Sequence, residues 1–477
     1  MLFSEWLKTP ALDRCYLIEM DYLLAGTEYT LRRSTHPYRT AAIDTPALTP
    51  YPDTILSLPE FDREMSEAFI GVSRVAIGEL ELFLDEELQA LVGAAVFGGR
   101  EFRMYVGDAS WPLADFGQIV VGRIEQLEAA SYDHAKLTFR DRAALFDRPV
   151  QQNTLATGPS TGKPIPLCYG QCFNVSPVLI DHTIKKYHVH DGAVQAITDV
   201  RENGMSIPFT ADVATGTFTL ANNATGRVTA DVEGAVVGGT YLATADDLMA
   251  HLVTDVMGLA APIGDTLPAY TLGLYIVDET TVADALDKIA ASVGAAWFFN
   301  RLNQVALVHF DGLQMTSDSL TPDDIEDESL LPVRRIAPAK TITLGYQRNW
   351  TPQADGLAGS IRENEPELAT LYEQTESVVV STNAGITTNY PDAADITVST
   401  LIATETDAAL EAVRRAGIAA TPHTIFELAA FASPFAMQLG QSISIQYPQY
   451  FAAGGDALIT RLTDLPEENS VRMEVWQ

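Results

Sequence analysis

Nothing before Tyr241 in this chain reads as a convincing helix, which makes the first half mostly strands and turns. The stretch 79–84 shows the pattern most clearly. Leu80, Leu82 and Leu84 alternate with Glu79, Glu81 and Phe83, the period of a half-buried strand. Further strands are expected over 14–20, 28–33, 101–106, 117–125 and 135–139, and 86–92 has room for one or two helical turns. Gly98-Gly99 and Gly107-Asp108 supply turns. A stretch rich in Gly, Pro, Ser and Thr follows at 154–166 and reads as a linker. Beyond it Asn203-Gly204 is a strong hairpin signal. Phe218 with Leu220, and Val228 with Ala230 and Val232, mark two strand faces joined by a turn over 222–226.

Helices enter with two local signals. Thr244 and Asp247 have the spacing of a capping box, as do Thr281 and Asp284. Leu248, Met249, Leu252, Val253 and Val256 form an apolar stripe after the first, and Val282, Leu286, Ile289 and Val293 form one after the second. Gly294 is placed to end the second helix, and strands at 297–299 and 305–310 follow around a turn at 300–303. The run 317–331 is an acidic connector. Strands are then expected over 340–346, 377–381, 425–430, 442–447, 457–462 and 470–476, with one helix at 407–416. The expected fold class is α+β, predominantly β and multidomain. Its divisions are 1–153, a linker at 154–166, a small β-rich module at 167–240, a helix-plus-hairpin unit at 241–316, a connector at 317–332 and a last β-rich unit at 333–477.

Charge bears on partners more than on fold. The 477 residues include 63 Asp and Glu against 30 Lys and Arg, a net charge of −33, yet only 19% are charged and 47% are hydrophobic. A disordered acidic chain is poor in apolar residues, so this excess belongs on the surface of a packed protein. Such a surface repels DNA and anionic lipid. The basic doublets Arg32-Arg33, Lys185-Lys186, Arg334-Arg335 and Arg414-Arg415 are isolated and form no nucleic-acid stripe. Three cysteines exclude a disulfide scaffold. The opening residues show no signal peptide, and the uncharged stretch 428–455 contains Pro434, Gly440 and Pro448 and reads as soluble strands. Synthesis in the cytoplasm without a membrane span is expected.

Candidate chemistry is sparse. Gly158 to Lys163 resembles a phosphate loop but is one residue short between its glycines, and Pro164 stands where Ser or Thr would hold magnesium, so the linker reading is preferred. Cys168 and Cys172 with His182, His188 and His190 are the best metal-ligand types. Their spacing is unusual for zinc, so the cysteines are read as core thiols and His188 and His190 as lining a polar strand face. No serine elbow, zinc helix or Cys–His signature is present, and carboxylate pairs among so many acids carry no information. No catalytic, cofactor or metal residue is therefore assigned, and no enzyme activity is expected. The uncharged aromatic segment Tyr447 to Gly455 reads as a loop, either folded on its own domain or contacting a second subunit.

Several phrases carry a family resemblance. Gly170-Gln171-Cys172-Phe173-Asn174-Val175-Ser176-Pro177-Val178-Leu179-Ile180 leads into Tyr187-His188-Val189-His190-Asp191-Gly192 and Val200-Arg201-Glu202-Asn203-Gly204. Pro338 to Thr351, Trp111 to Phe116 with Val121 to Ile124, Leu439 to Ile443 and Leu458 to Thr460 add to it. Together they resemble baseplate hub proteins, the tail-tip proteins of long-tailed, siphovirus-like bacteriophages. The resemblance implies that 1–153 and 333–477 are β-barrel-like hub domains with inserted modules. It implies a homotrimer at the tail tip of the virion, around the exit channel for the tape measure protein and the genome DNA. The distal tail protein would lie above and a central fibre or spike below, with DNA passing through during genome ejection without specific binding. An acidic channel wall would leave DNA phosphates unheld. The alternatives are a distal tail protein or another tail-tip adaptor, a tail-associated cell-wall hydrolase, and a receptor- or glycan-binding protein.

Overall fold

A computed structural model of the chain describes residues 3–7, 9, 13–66, 71–140, 143–314, 316, 318–431 and 435–477. Ser317, at the head of the expected connector, and Pro434, used above against a membrane span, lie outside them, as do Met1, Leu2 and Lys8 of the opening segment. The fold is predominantly β, 44% strand and 16% helix, in several curled sheets. No helix among the described residues is long and apolar enough to cross a membrane.

The N-terminal sheet has seven strands in the order Thr27–Ser34, Cys15–Leu24, Glu101–Gly107, Gly117–Ala129, His134–Phe139, Leu80–Phe83 and Ile55–Ser57. Alternation sets its buried face: Leu80 and Leu82 are fully buried while Phe83 points outward. The inward residues Ile18, Met20, Phe102, Met104, Val120, Ile124 and Leu137 make one core with the helix Glu86–Val92. Asp85 caps that helix, its carboxylate accepting from Leu88 N at 2.8 Å.

In the middle of the chain, Leu167–Val175 runs between Val228–Val237 and Gly273–Ile276 and separates two cores. Leu167 and Tyr169 face the helices, whereas Cys168 and Cys172 face Phe218, Val200 and Val232. The 240/241 division expected from sequence therefore does not fall between cores, because Gly273–Ile276 completes a sheet begun before it. Asn203 and Gly204 both take positive φ, +52° and +84°, as a tight hairpin turn requires.

Both capping boxes form. The second helix spans Val282–Ser292 and stops at Gly294, whose φ of +70° suits only glycine without strain. The first spans Ala245–His251 and then widens into a π-helical turn over Leu252–Val256. The last part of the chain carries more helix than expected. Gly359–Asn364 and Pro366–Glu373 precede Glu405–Ile418, which begins at the cap Thr404, earlier than 407. This last helix packs on a three-stranded sheet in which Ala339–Tyr346 lies between Ser377–Thr382 and Ala394–Ser399.

Two segments read as connectors are folded parts. In 154–166 the backbone closes on itself: Leu155 N donates to Lys163 O and Gly162 N to Leu155 O, both near 2.9 Å or shorter. In the acidic connector, Leu320, Ile325 and Leu330 are buried in the C-terminal core, and Ser319–Leu320 pairs with Ser442–Tyr447. The segment 447–455 is also mostly strand. Phe451 is buried and begins the strand Phe451–Leu465, leaving a turn whose exposed tip is Tyr450 at φ +66°.

Candidate functional site

The sequence-flagged Cys and His residues lie near one another without forming a metal centre. Cys168 and Cys172 are fully buried and donate to carbonyls, Cys168 Sγ to Val189 O at 3.2 Å and Cys172 Sγ to Tyr169 O at 3.4 Å. Burial pushes the Cys168 thiol well above its ordinary pKa, which disfavours the thiolate a metal needs. His190 corrects the polar-face expectation. It follows the strand Lys186–His188, is buried, and its Nδ1 accepts from Cys168 N at 3.1 Å. Accepting requires the neutral ring, and burial holds its pKa down to about 4, with Asp191 opposing. His182 sits in the turn before that strand. No group of three or more His, Cys, Asp or Glu among the described residues is arranged to hold a metal ion.

The nearest approach to an acid–base chain is Tyr169, His251 and Asp255. His251 Nδ1 lies 2.7 Å from Asp255 Oδ2 and its Nε2 lies 3.4 Å from the Tyr169 hydroxyl. Burial raises the Tyr169 pKa, so the phenol stays protonated and serves to tie the strand Leu167–Val175 to the helix that bears His251.

The arrangement that most distinguishes the molecule is instead a junction between the two ends of the chain. The strand Phe61–Glu64 leaves the N-terminal sheet and pairs with Phe451–Leu465 on one side and Arg74–Ile77 on the other. Arg63 on this strand is 1% exposed and bonds through Nη2 to Asp464 Oδ2, whose residue is 0% exposed. The second carboxylate oxygen of Asp464 accepts from Phe435 N at 2.6 Å. Two further charges secure the same seam: Arg461 holds Asp62 through Nε and Nη2, each at 3.0 Å. Phe61–Glu64 is not among the strands expected from the sequence: three of its four residues, Asp62, Arg63 and Glu64, are charged and carry no apolar alternation.

A second ion cluster locks the helix Glu405–Ile418 to the hairpin. Glu411 is fully buried and accepts from Arg414 and Arg415, which reach on to Phe310 O at 2.6 Å and Ala291 O at 2.7 Å. These arginines hold the Glu411 carboxyl below its ordinary pKa against the desolvation that opposes them. Both sites join elements distant in sequence.

No protein-family model and no curated protein matches the sequence. Solved structures are similar along nearly the whole chain. The 43 kDa tail protein of prophage MuSo2 from Shewanella oneidensis aligns over 96% of this chain and 98% of its own, at 10% identity and a TM-score of 0.43. A tail protein from Neisseria meningitidis MC58 aligns over 97% and 96%, at 9% identity and a TM-score of 0.44. A prophage tail protein from Listeria monocytogenes EGD-e aligns over 97% and 94%, at 8% identity and a TM-score of 0.43.

Proposed function

We propose that this chain is a structural protein of a bacteriophage tail, and that three copies form a hub ring at the tail tip. The observation that carries the reading is the junction of Phe61–Glu64 with Phe451–Leu465. It joins strands of the first and last β-rich units in one sheet, which suits the organisation the hub resemblance implies, two hub units with modules inserted between them. A buried ion pair at that seam, with the half-exposed Arg461–Asp62 pair beside it, suits a part that bears load rather than one that turns over a substrate.

A ring needs contacts between copies. Ser377–Thr382 is the strand we assign to this role. It lies at the edge of its sheet, and Val378 and Val380 are 56% and 58% exposed on it. An open apolar edge is a ready template for another strand. At −33 per chain the copies repel one another, so the contact gains from screening salt. An acidic inner wall would pass DNA and the end of the tape measure protein without holding either. The distal tail protein and a central fibre would take the two faces of the ring.

Imaging purified tails with this chain labelled tests the reading. Label at the tip with three copies per particle is the expected result. Six copies would assign the chain to the distal tail protein instead, and absence from particles would overturn a tail role altogether.

A further inference from the structure

The seam encloses more than an ion pair. A cavity of about 270 Å³ lies where Phe61–Glu64, Arg74–Ile77, Gly117–Ala129 and the hairpin turn near Asn300 meet. Its apolar wall includes Ile77, Val120, Phe139 and Trp297. Three buried polar atoms on its lining residues have no hydrogen-bond partner among the described residues: Arg63 Nε, Ser73 Oγ and Asn303 Oδ1. Arg63 is 1% exposed and Ser73 is 5% exposed, so bulk water does not serve them.

The charge of the cavity is unbalanced. Asp464 cancels Arg63, whereas the Arg301 side chain donates to a carbonyl, Phe435 O at 2.7 Å, and stacks on that ring with its guanidinium carbon 5.1 Å from the centroid. No carboxylate among the described residues pairs with Arg301. Burial, with Arg63 beside it and the Asp464 carboxylate opposing, holds its pKa down to about 9. Arg140, exposed, adds a cation to the lining. In a chain with 63 acids, a pocket lined by Arg63, Arg140 and Arg301, with Asp464 behind Arg63 and no carboxylate among its described lining residues, is a local reversal of sign.

Water alone matches this space poorly. About nine waters would fill it at ~30 Å³ each, and each needs two or more polar partners, whereas most of the wall is apolar. A ligand with one anionic end and an apolar body satisfies both halves. We propose that the cavity binds a carboxylate carried on an apolar stem, its oxygens taken by Arg301, Arg63 Nε and the Ser73 hydroxyl and its stem laid against Ile77, Phe139 and Trp297. The amide of Asn303 adds a donor when its two ends are exchanged. The inference stands apart from the tail reading. The carboxylate has two possible sources, a free organic acid or an acidic side chain of a neighbouring chain.

Calorimetric titration of hexanoate into the full chain at low salt tests it, with hexanol and hexylamine as controls. The expected result is saturable hexanoate binding, one per chain, that neither control shows. Arg301→Gln should weaken it by about tenfold or more, since a charge-assisted bond is lost, and Ser73→Ala by a few-fold with unchanged melting. If Arg301→Gln does not fold, Ser73→Ala decides. No saturable binding, or equal binding by Ser73→Ala and the natural chain, would overturn the proposal. Density in assembled particles separates the sources: continuous with a neighbouring chain for a side chain, isolated for a free acid. Water alone, both there and in hexanoate-soaked protein, would also overturn it.

Discussion

Arg63 and Asp464 stand 401 positions apart in sequence and pair inside the protein, where neither side chain is more than 1% exposed. The pair joins a short strand of the N-terminal unit to the longest strand of the C-terminal one, so the ends of the chain fold as one framework.

Breaking that pair has a predictable cost. Arg63→Met leaves Asp464 as an uncompensated buried charge and should destabilise the protein by about 3–5 kcal/mol, read from urea unfolding. Arg63→Met with Asp464→Leu removes both charges and should recover part of the loss. Equal loss in the single and double variants would place the cost in packing rather than charge.

Acid should weaken the middle unit through His190. Its pKa is held at about 4 in the folded protein against an ordinary 6.5, so the unfolded chain binds the extra proton between those values. Stability attributable to this neutral ring is complete above pH 6.5 and falls as pH drops toward 4, by about 3 kcal/mol in all. His190→Asn, which keeps an acceptor for Cys168 N, should flatten that part of the urea-midpoint profile relative to the natural chain.

The thiols should be silent in the native state. Cys15, Cys168 and Cys172 are all buried and free. Burial pushes Cys15 up to about 12 and Cys168 well above its ordinary value. A disulfide reagent at pH 8 should label none until denaturant is added, and all three thereafter. Rapid native labelling at Cys168 or Cys172 would show that the sheet around Leu167–Val175 opens.

Much of this fold is legible locally. The alternation at 79–84 and the two capping boxes depend on residues within four positions of one another, and each forms as the spacing implies. What the sequence hides is non-local or lacks a side-chain signal. Gly359–Asn364 has no side-chain cap, and Pro366–Glu373 announces itself only by Pro366 in its first turn. The charged strand Phe61–Glu64 has no local pattern of its own, and its partners Asp464 and Arg461 come from the far end of the chain. His190 is buried because its ring nitrogen meets the Cys168 backbone, a contact no period encodes.

The open edge at Ser377–Thr382 gives the proposed assembly a specific handle. Val378→Lys with Val380→Lys places charge on the exposed positions of the strand. It should shift the protein toward monomer in sedimentation without lowering the melting temperature of the monomer, and added salt should favour association of the natural chain. An unchanged association would move the contact to another face.

Native mass measurement of the full chain tests the proposed trimer most directly. The account predicts a species of three times 51.7 kDa at micromolar concentration and moderate salt. A chain that stays at 51.7 kDa under all those conditions, and that cross-links to no copy of itself within particles, would contradict it.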